Sequence, residues 1–200
     1  MKISVLSSGS SGNAFYVENE KSNNKRNAIL VDCGISCKKI EERLASINKT
    51  PESIKGIFLT HEHSDHVKGT DVFARKFNVP IFVTQKIIDK KFLCKDASLI
   101  NSIKNTETTK MIGLNVIAFP KSHLSVDPVS FSIVDTKQNK TLSIITDAGF
   151  ACNNVCDHVA SANFLCLESN HDLEMLEQGS YPWHLKKWIK SDNGHLSNTQ

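Results

Sequence analysis

No stretch of this 200-residue chain approaches the roughly 18 consecutive apolar residues of a membrane-spanning helix. A mean hydropathy of -0.25 points the same way, which argues against an integral membrane protein and leaves no membrane partner to expect. Room for a secretory signal is also missing, because Met1-Lys2-Ile3-Ser4-Val5-Leu6 enters a strand pattern at once. The cysteines lack C-x-x-C and zinc-ribbon spacings. Cys33, Cys37, Cys94, Cys152, Cys156 and Cys166 therefore read as free thiols in a cytoplasmic protein. The four-residue intervals of Cys33 with Cys37 and of Cys152 with Cys156 suit small core residues better than a redox or metal pair. A strong charge of either sign is lacking too: 24 basic against 21 acidic residues leave +3. That balance permits an anionic substrate without demanding one.

What is present is an ordinary globular composition, 40% hydrophobic and 22% charged, in a length that suits one domain over residues 1–200 with a sizeable core. One stretch dominates it, Leu59-Thr60-His61-Glu62-His63-Ser64-Asp65-His66. It follows directly on the apolar run Ile54 to Leu59, so metal-binding side chains stand at the end of a buried strand. In an extended segment His61 and His63 are two apart and point the same way, and both reach one ion. Asp65 and His66 fall on the following turn, where they suit a second. Imidazole with carboxylate is the donor mixture for zinc, and for manganese or iron when oxygen donors dominate.

At these residues the chain resembles the metallo-β-lactamase superfamily, whose signature is H-x-H-x-D-H after a strand. The resemblance implies an α/β fold, a four-layered αβ/βα sandwich with a metal centre at one edge. Lys2–Leu6 and Ala14–Val17 read as strands joined by Ser7-Ser8-Gly9-Ser10-Ser11-Gly12-Asn13, where Gly9 and Gly12 admit positive φ. Residues 18–26 read as an exposed polar loop. Residues 28–34 return as a buried strand ending in D-x-G, and Asp32 there resembles the superfamily carboxylate that braces the histidine loop from behind. The spacing of Ile40, Leu44 and Ile47 predicts a helix over 38–47. Residues 67–77 read as a helix with Val72, Phe73 and Phe77 inward, and 79–83 as a strand. Residues 87–109, rich in lysine and asparagine, suggest a lid or irregular insertion.

Strand patterns resume over 111–119, 129–134 and 142–145, with a turn over 137–140, and a short one covers 164–167. The first of these ends at Pro120-Lys121-Ser122-His123, where the family supplies its next ligand. The third ends in Thr146-Asp147-Ala148-Gly149, where Asp147 resembles the carboxylate that bridges both metals. With S-G-S-S-G-N near the start, L-E-S-N-H-D at 167–172, G-x-Y-P at 179–182 and G-H-L-S-N at 194–198, the chain resembles the WalJ/YycJ branch of metallo-β-lactamase-fold hydrolases. Members of that branch are regarded as metal-dependent nucleases. Two departures stand out. Leu124 replaces an aspartate usual after the histidine, and the sequence stops short of a further strand and helix bearing a last metal-binding histidine. From the second departure follow a weaker second ion, weak activity and a tendency to form homo-oligomers.

The resemblance implies that His61, His63 and His123 hold one divalent ion and Asp65 and His66 the other, Zn2+ or Mn2+, with Asp147 between them. Two such ions deprotonate a bridging water to a hydroxide and neutralise charge on a phosphoryl oxygen during in-line attack. Asp65 orients that hydroxide, while His195 and His171 stand beside the leaving oxygen. The expected function is a phosphodiesterase or nuclease acting on DNA in preference to RNA. Residues 183–190, Trp-His-Leu-Lys-Lys-Trp-Ile-Lys, mix cations with aromatics, which suits phosphate contact and base stacking, or equally a packed face with solvated lysines. The rival readings are a thioester or lactone hydrolase, and a metal- or nucleic-acid-binding module without turnover.

Overall fold

The computed structural model describes residues 1–19 and 27–200. Among them, six strands form one sheet in sequence order: β1 (Lys2–Ser7), β2 (Ala14–Glu18), β3 (Ala28–Val31), β4 (Ile54–Phe58), β5 (Ile81–Thr84) and β6 (Ile100–Ile103). The first three run as an antiparallel meander and β3 to β6 are parallel. Helices α1 (Cys37–Ser46), α2 (Ser64–Val67), α3 (Thr70–Phe77) and α4 (Gln85–Lys90) lie in the crossovers, as parallel neighbours require. The second sheet has the order β11-β10-β9-β8-β7, with β7 (Thr108–Met111), β8 (Leu114–Pro120), β9 (Val129–Asp135), β10 (Lys140–Ile145) and β11 (Phe164–Leu167). Its one parallel pair, β10 with β11, encloses α5 (Asn153–Ala160). Helices α6 (Leu173–Gln178) and α7 (Trp183–Ile189) follow.

Strand alternation divides the apolar residues among three layers of packing. Phe15, Val17, Ile29, Val31 and Phe58 face Leu114, Val116, Phe131, Ile133 and Ile144 between the sheets, where Phe58 stacks on Phe82 at 4.7 Å and meets Phe131 edge-on at 5.6 Å. Tyr16, Leu30 and Ile57, on the opposite face of the first sheet, pack with Ile40, Leu44, Phe73 and Ile87 of α1, α3 and α4. Phe119 and Ile145 turn outward from the second sheet to meet Val155 of α5. Helix, sheet, sheet and helix make the expected four layers.

Three local expectations need correction. Glu18 is not in an exposed loop. It ends β2 with its carboxylate buried against Lys49 Nζ at 2.7 Å, while residues 20–26 of that stretch lie outside the described residues. The helix expected over 67–77 is two helices parted at Gly69, and Val72 is 50% exposed while Phe73 and Ala74 take the buried face. Residues 87–109 are no lid. Leu93, Cys94 and Leu99 anchor them, and they complete α4 and supply β6 and the start of β7. Both strands lie at sheet edges, where little of either face is buried, so their sequences carry no apolar alternation.

The connections matter most for function. Strands β3 and β4 of one sheet and β8, β10 and β11 of the other release their chains at one edge of the sandwich. Carboxyl ends of parallel strands are where open α/β sheets place their ligands.

Candidate metal centre

Asp32, just past β3, has φ +60 and is fully buried. Its Oδ1 accepts the Thr60 N–H at 2.8 Å and its Oδ2 lies 2.7 Å from His66 Nδ1. The Thr60 hydroxyl sits 2.9 Å from Asp32 Oδ2 and 2.9 Å from His61 Nδ1. These contacts fix two tautomers: with its hydroxyl proton given to Asp32, Thr60 accepts from His61 Nδ1–H, and Asp32 accepts from His66 Nδ1–H. Both Nε2 atoms are thereby turned toward the cleft. His123 is set the same way from the other sheet, its Nδ1 donating to the Gly194 carbonyl at 3.1 Å. Leu124 is exposed, its N–H donating to the Asn193 carbonyl.

Three ring nitrogens consequently face one another: His61 Nε2 lies 3.1 Å and His123 Nε2 3.3 Å from His63 Nδ1. Facing lone pairs repel unless a cation lies between them. Tetrahedral coordination at about 2.0–2.1 Å per bond sets donor atoms about 3.3 Å apart. The triad fits such an ion. Beside it, His66 Nε2 lies 2.8 Å from Asp147 Oδ2 and 3.4 Å from Asp65 Oδ2, while Asp147 Oδ2 is 4.0 Å from His61 Nε2. His61, His66 and Asp147 are close enough to share an ion, and so are Asp147, Glu168 and His195.

Electrostatics agree with a cation site. Burial works against a charge on His66, but Asp32, Asp147 and Asp65 outweigh it and push its pKa up to about 11. The carboxylates that hold a proton there offer the same potential to a metal. Burial, then Lys121, lowers His61, and the same two causes bring His123 down to about 4, so these rings present lone pairs at neutral pH. Burial alone would raise Asp147, yet the hydrogen bond with His66 and the charge of Lys121 keep its carboxyl ionised well below the usual range.

A short hairpin loop clamps this arrangement. Asn13 N–H donates to the Asp65 carbonyl at 2.7 Å, Gly34 N–H donates to the Asn13 carbonyl at 2.8 Å, and Asn13 Nδ2 approaches His66 Nε2 at 3.1 Å. Gly12, at φ +141, permits the turn, and a side chain at Gly34 would run into the Asp65 carbonyl.

All of the residues expected from sequence except His171 lie in or against this cluster. His195, expected beside the leaving group, has its Nδ1 3.0 Å from Glu168 Oε2 and 3.3 Å from Asp147 Oδ1. Burial disfavours its charged form, and Glu168 and Asp147 outweigh that and raise it. His171 lines the same cleft of about 890 Å³ but makes no hydrogen bond through either ring nitrogen. Trp188 meets His195 edge-on at 5.5 Å, whereas Trp183 is exposed with Lys187 Nζ 5.3 Å over its ring. Sequence reading missed Glu168 and Lys121. The first stands at the end of an apolar strand like Asp32 and Asp147, a repeated pattern that does mark it. Nothing in the sequence marks the second.

A histidine triad and carboxylates at the strand ends of a four-layered sandwich narrow the family, and the sequence profile of the metallo-β-lactamase superfamily matches residues 8–150. The chain belongs to the metallo-β-lactamase superfamily. Within it, exodeoxyribonuclease WalJ of Streptococcus pneumoniae is 40% identical over 98% of this chain and 72% of its own length. Exodeoxyribonuclease YycJ of Bacillus anthracis is 35% identical over 99% of this chain and 74% of its own. A metallo-β-lactamase of Cronobacter sakazakii superposes with a TM-score of 0.58 at 12% identity, covering 76% of each chain, which is a likeness of fold alone. This superfamily is typically dinuclear, and the paired donor groups of the chain suit that habit.

Proposed function

We propose that the chain is a metal-dependent exonuclease that hydrolyses phosphodiester bonds of DNA. The observation that carries this is the array itself: a three-nitrogen site beside a carboxylate-rich one, with an ion-paired Glu168–His195 couple at its edge. The names of the curated relatives support DNA as the substrate. His61, His63 and His123 would hold one ion, and His66 and Asp65, with Asp147, the other. Zn2+ or Mn2+ suits this mixture of imidazole and carboxylate. When bound, the metal would supply Lewis acidity toward a phosphoryl oxygen and lower the pKa of a bound water.

The chain's own groups do the rest. Asp65, half-buried at the start of α2, orients the attacking water and accepts its proton. Glu168 favours the charged form of His195 and fixes the ring through Nδ1, leaving its opposite edge to give a proton to the departing sugar oxygen. His171, which lacks a partner in the cleft, contacts the scissile phosphate or its neighbour. The exposed Trp183 with Lys187 offers a base-stacking and phosphate contact beyond the centre. Six free thiols suit a reducing cytoplasm.

End-labelled DNA and RNA, bis-p-nitrophenyl phosphate and an acyl thioester, each assayed with Zn2+ or Mn2+, separate the readings. The expected result is stepwise shortening of DNA, abolished in His63→Ala together with loss of one bound ion. Thioester turnover without DNA cleavage would mark a small-molecule hydrolase instead.

A further inference from the structure

Lys121, at the exit of β8 and two residues before His123, is 6% exposed. Lysine is almost never buried without partners. Its amine donates to the Thr146 carbonyl and lies 3.4 Å from Thr146 Oγ1. To do so it reaches across the start of β9, since Pro120 pairs with Val129 and Ile144 with Phe131 in the adjoining registers. The stitch joins two strands that do not touch at this end of the sheet.

What it joins is the approach to Asp147. That residue sits at φ +48, a conformation that costs free energy outside glycine and persists where neighbours enforce it. The exit of the bend is enforced twice, by Ala148 N–H on Glu168 Oε1 at 2.5 Å and by Gly149 N–H on the Ser122 carbonyl at 2.7 Å. Lys121 holds the entry. None of the steps assigned above uses this amine, although the carboxylates of Asp147, Asp32, Glu168 and Asp65 all act on it.

We propose that Lys121 is a positioning residue of the metal centre, its amine holding the Thr146 carbonyl so that the Asp147 carboxylate points between the two ion positions. The inference rests on the two-ion reading above. Two effects of the amine have opposite signs. As a cation it repels metal ions, so if charge alone mattered, removing it would tighten metal binding. As a donor it satisfies a buried carbonyl, and removing it leaves that carbonyl unpaired, relaxes the bend and loosens the ion that leans on Asp147.

Metal affinity therefore reads the answer directly. Mn2+ and Zn2+ titrations against a chromophoric chelator resolve the two binding steps of the parent, Lys121→Met and Lys121→Arg, with thermal melting in excess chelator alongside. The expected result is a weaker step at least tenfold weaker in Lys121→Met, a tight step within about threefold of the parent, and near-parental affinity in Lys121→Arg. Equal or tighter binding by Lys121→Met overturns the proposal. So does an equal loss at both steps, which marks a general structural role, and so does failure of arginine to rescue. If Lys121→Met does not melt cooperatively, Lys121→Gln is titrated by the same criteria, and failure of that variant to fold as well makes Lys121 a folding determinant and overturns the assignment. A parent chain that takes up no metal sinks the two-ion reading, and this proposal with it.

Discussion

At the scale of single residues, the centre is built from imidazoles aimed by partners on their far side. Thr60 aims His61, Asp32 aims His66, Gly194 aims His123 and Glu168 aims His195. In His66 and His195 the partnering carboxylates also favour the charged ring. His195→Ala should lower kcat about a hundredfold while metal content by mass spectrometry stays at the parental level. Glu168→Gln should fall part of the way, and the double variant should be no slower than His195→Ala, because the two act as one unit. Additive losses would separate them. The histidine loop was legible from sequence because four donors fall within six consecutive positions. Glu168 and Lys121 escaped because their meaning lies in what other strands bring to them, and one chain read in order shows no such neighbours.

At the scale of elements, two joints set the geometry. The first is Gly34, where the turn after β3 crosses the metal loop with no space for a side chain. Gly34→Ala should destabilise the fold by about 1–3 kcal/mol, read as a lower melting temperature, and should weaken metal binding because Asp65 is pushed from behind. The second is Asp71 in the first turn of α3. Its carboxylate takes two hydrogen bonds from Arg75 at 2.8 Å and one from Lys95 N–H at 2.8 Å, tying the helix to the segment ahead of β6. Arg75 chiefly, then that backbone donor, holds the carboxyl well below its usual range. A depressed folded-state pKa contributes stability that is present above the unfolded value, about 3.9, and is lost as pH falls through the folded one. Asp71→Asn should therefore melt lower than the parent from pH 5 to 8, and the gap should begin to narrow only as pH falls below about 4, closing toward the depressed folded-state value. Strands β3, β4 and β5 were readable from their apolar runs, and α1 from its periodicity. Strands β6 and β7 were not, because an edge strand buries too little to impose a pattern.

At the scale of the molecule, the centre straddles the two sheets. His61 and His63 come from the loop after β4, His123 from the end of β8, Asp147 and Glu168 from the ends of β10 and β11. An ion held by both sheets opposes their separation. A ligand at a hundred times its dissociation constant adds about 2.7 kcal/mol, and a chain of this size shifts by about 2–4 °C per kcal/mol. Exhaustive chelation should thus lower the melting temperature by about 5–10 °C, with recovery on adding Zn2+ or Mn2+. An unchanged melting curve would mean that the sheets hold together without help. The same straddling sets an order of events. A nascent chain that has emerged as far as residue 66 offers His61, His63, Asp65 and His66, but the donors of the second sheet have not been made. Only when the two sheets dock do all the donors converge, so an ion that needs them all would act as a brake on unfolding and leave the speed of folding to the apolar contacts between the sheets.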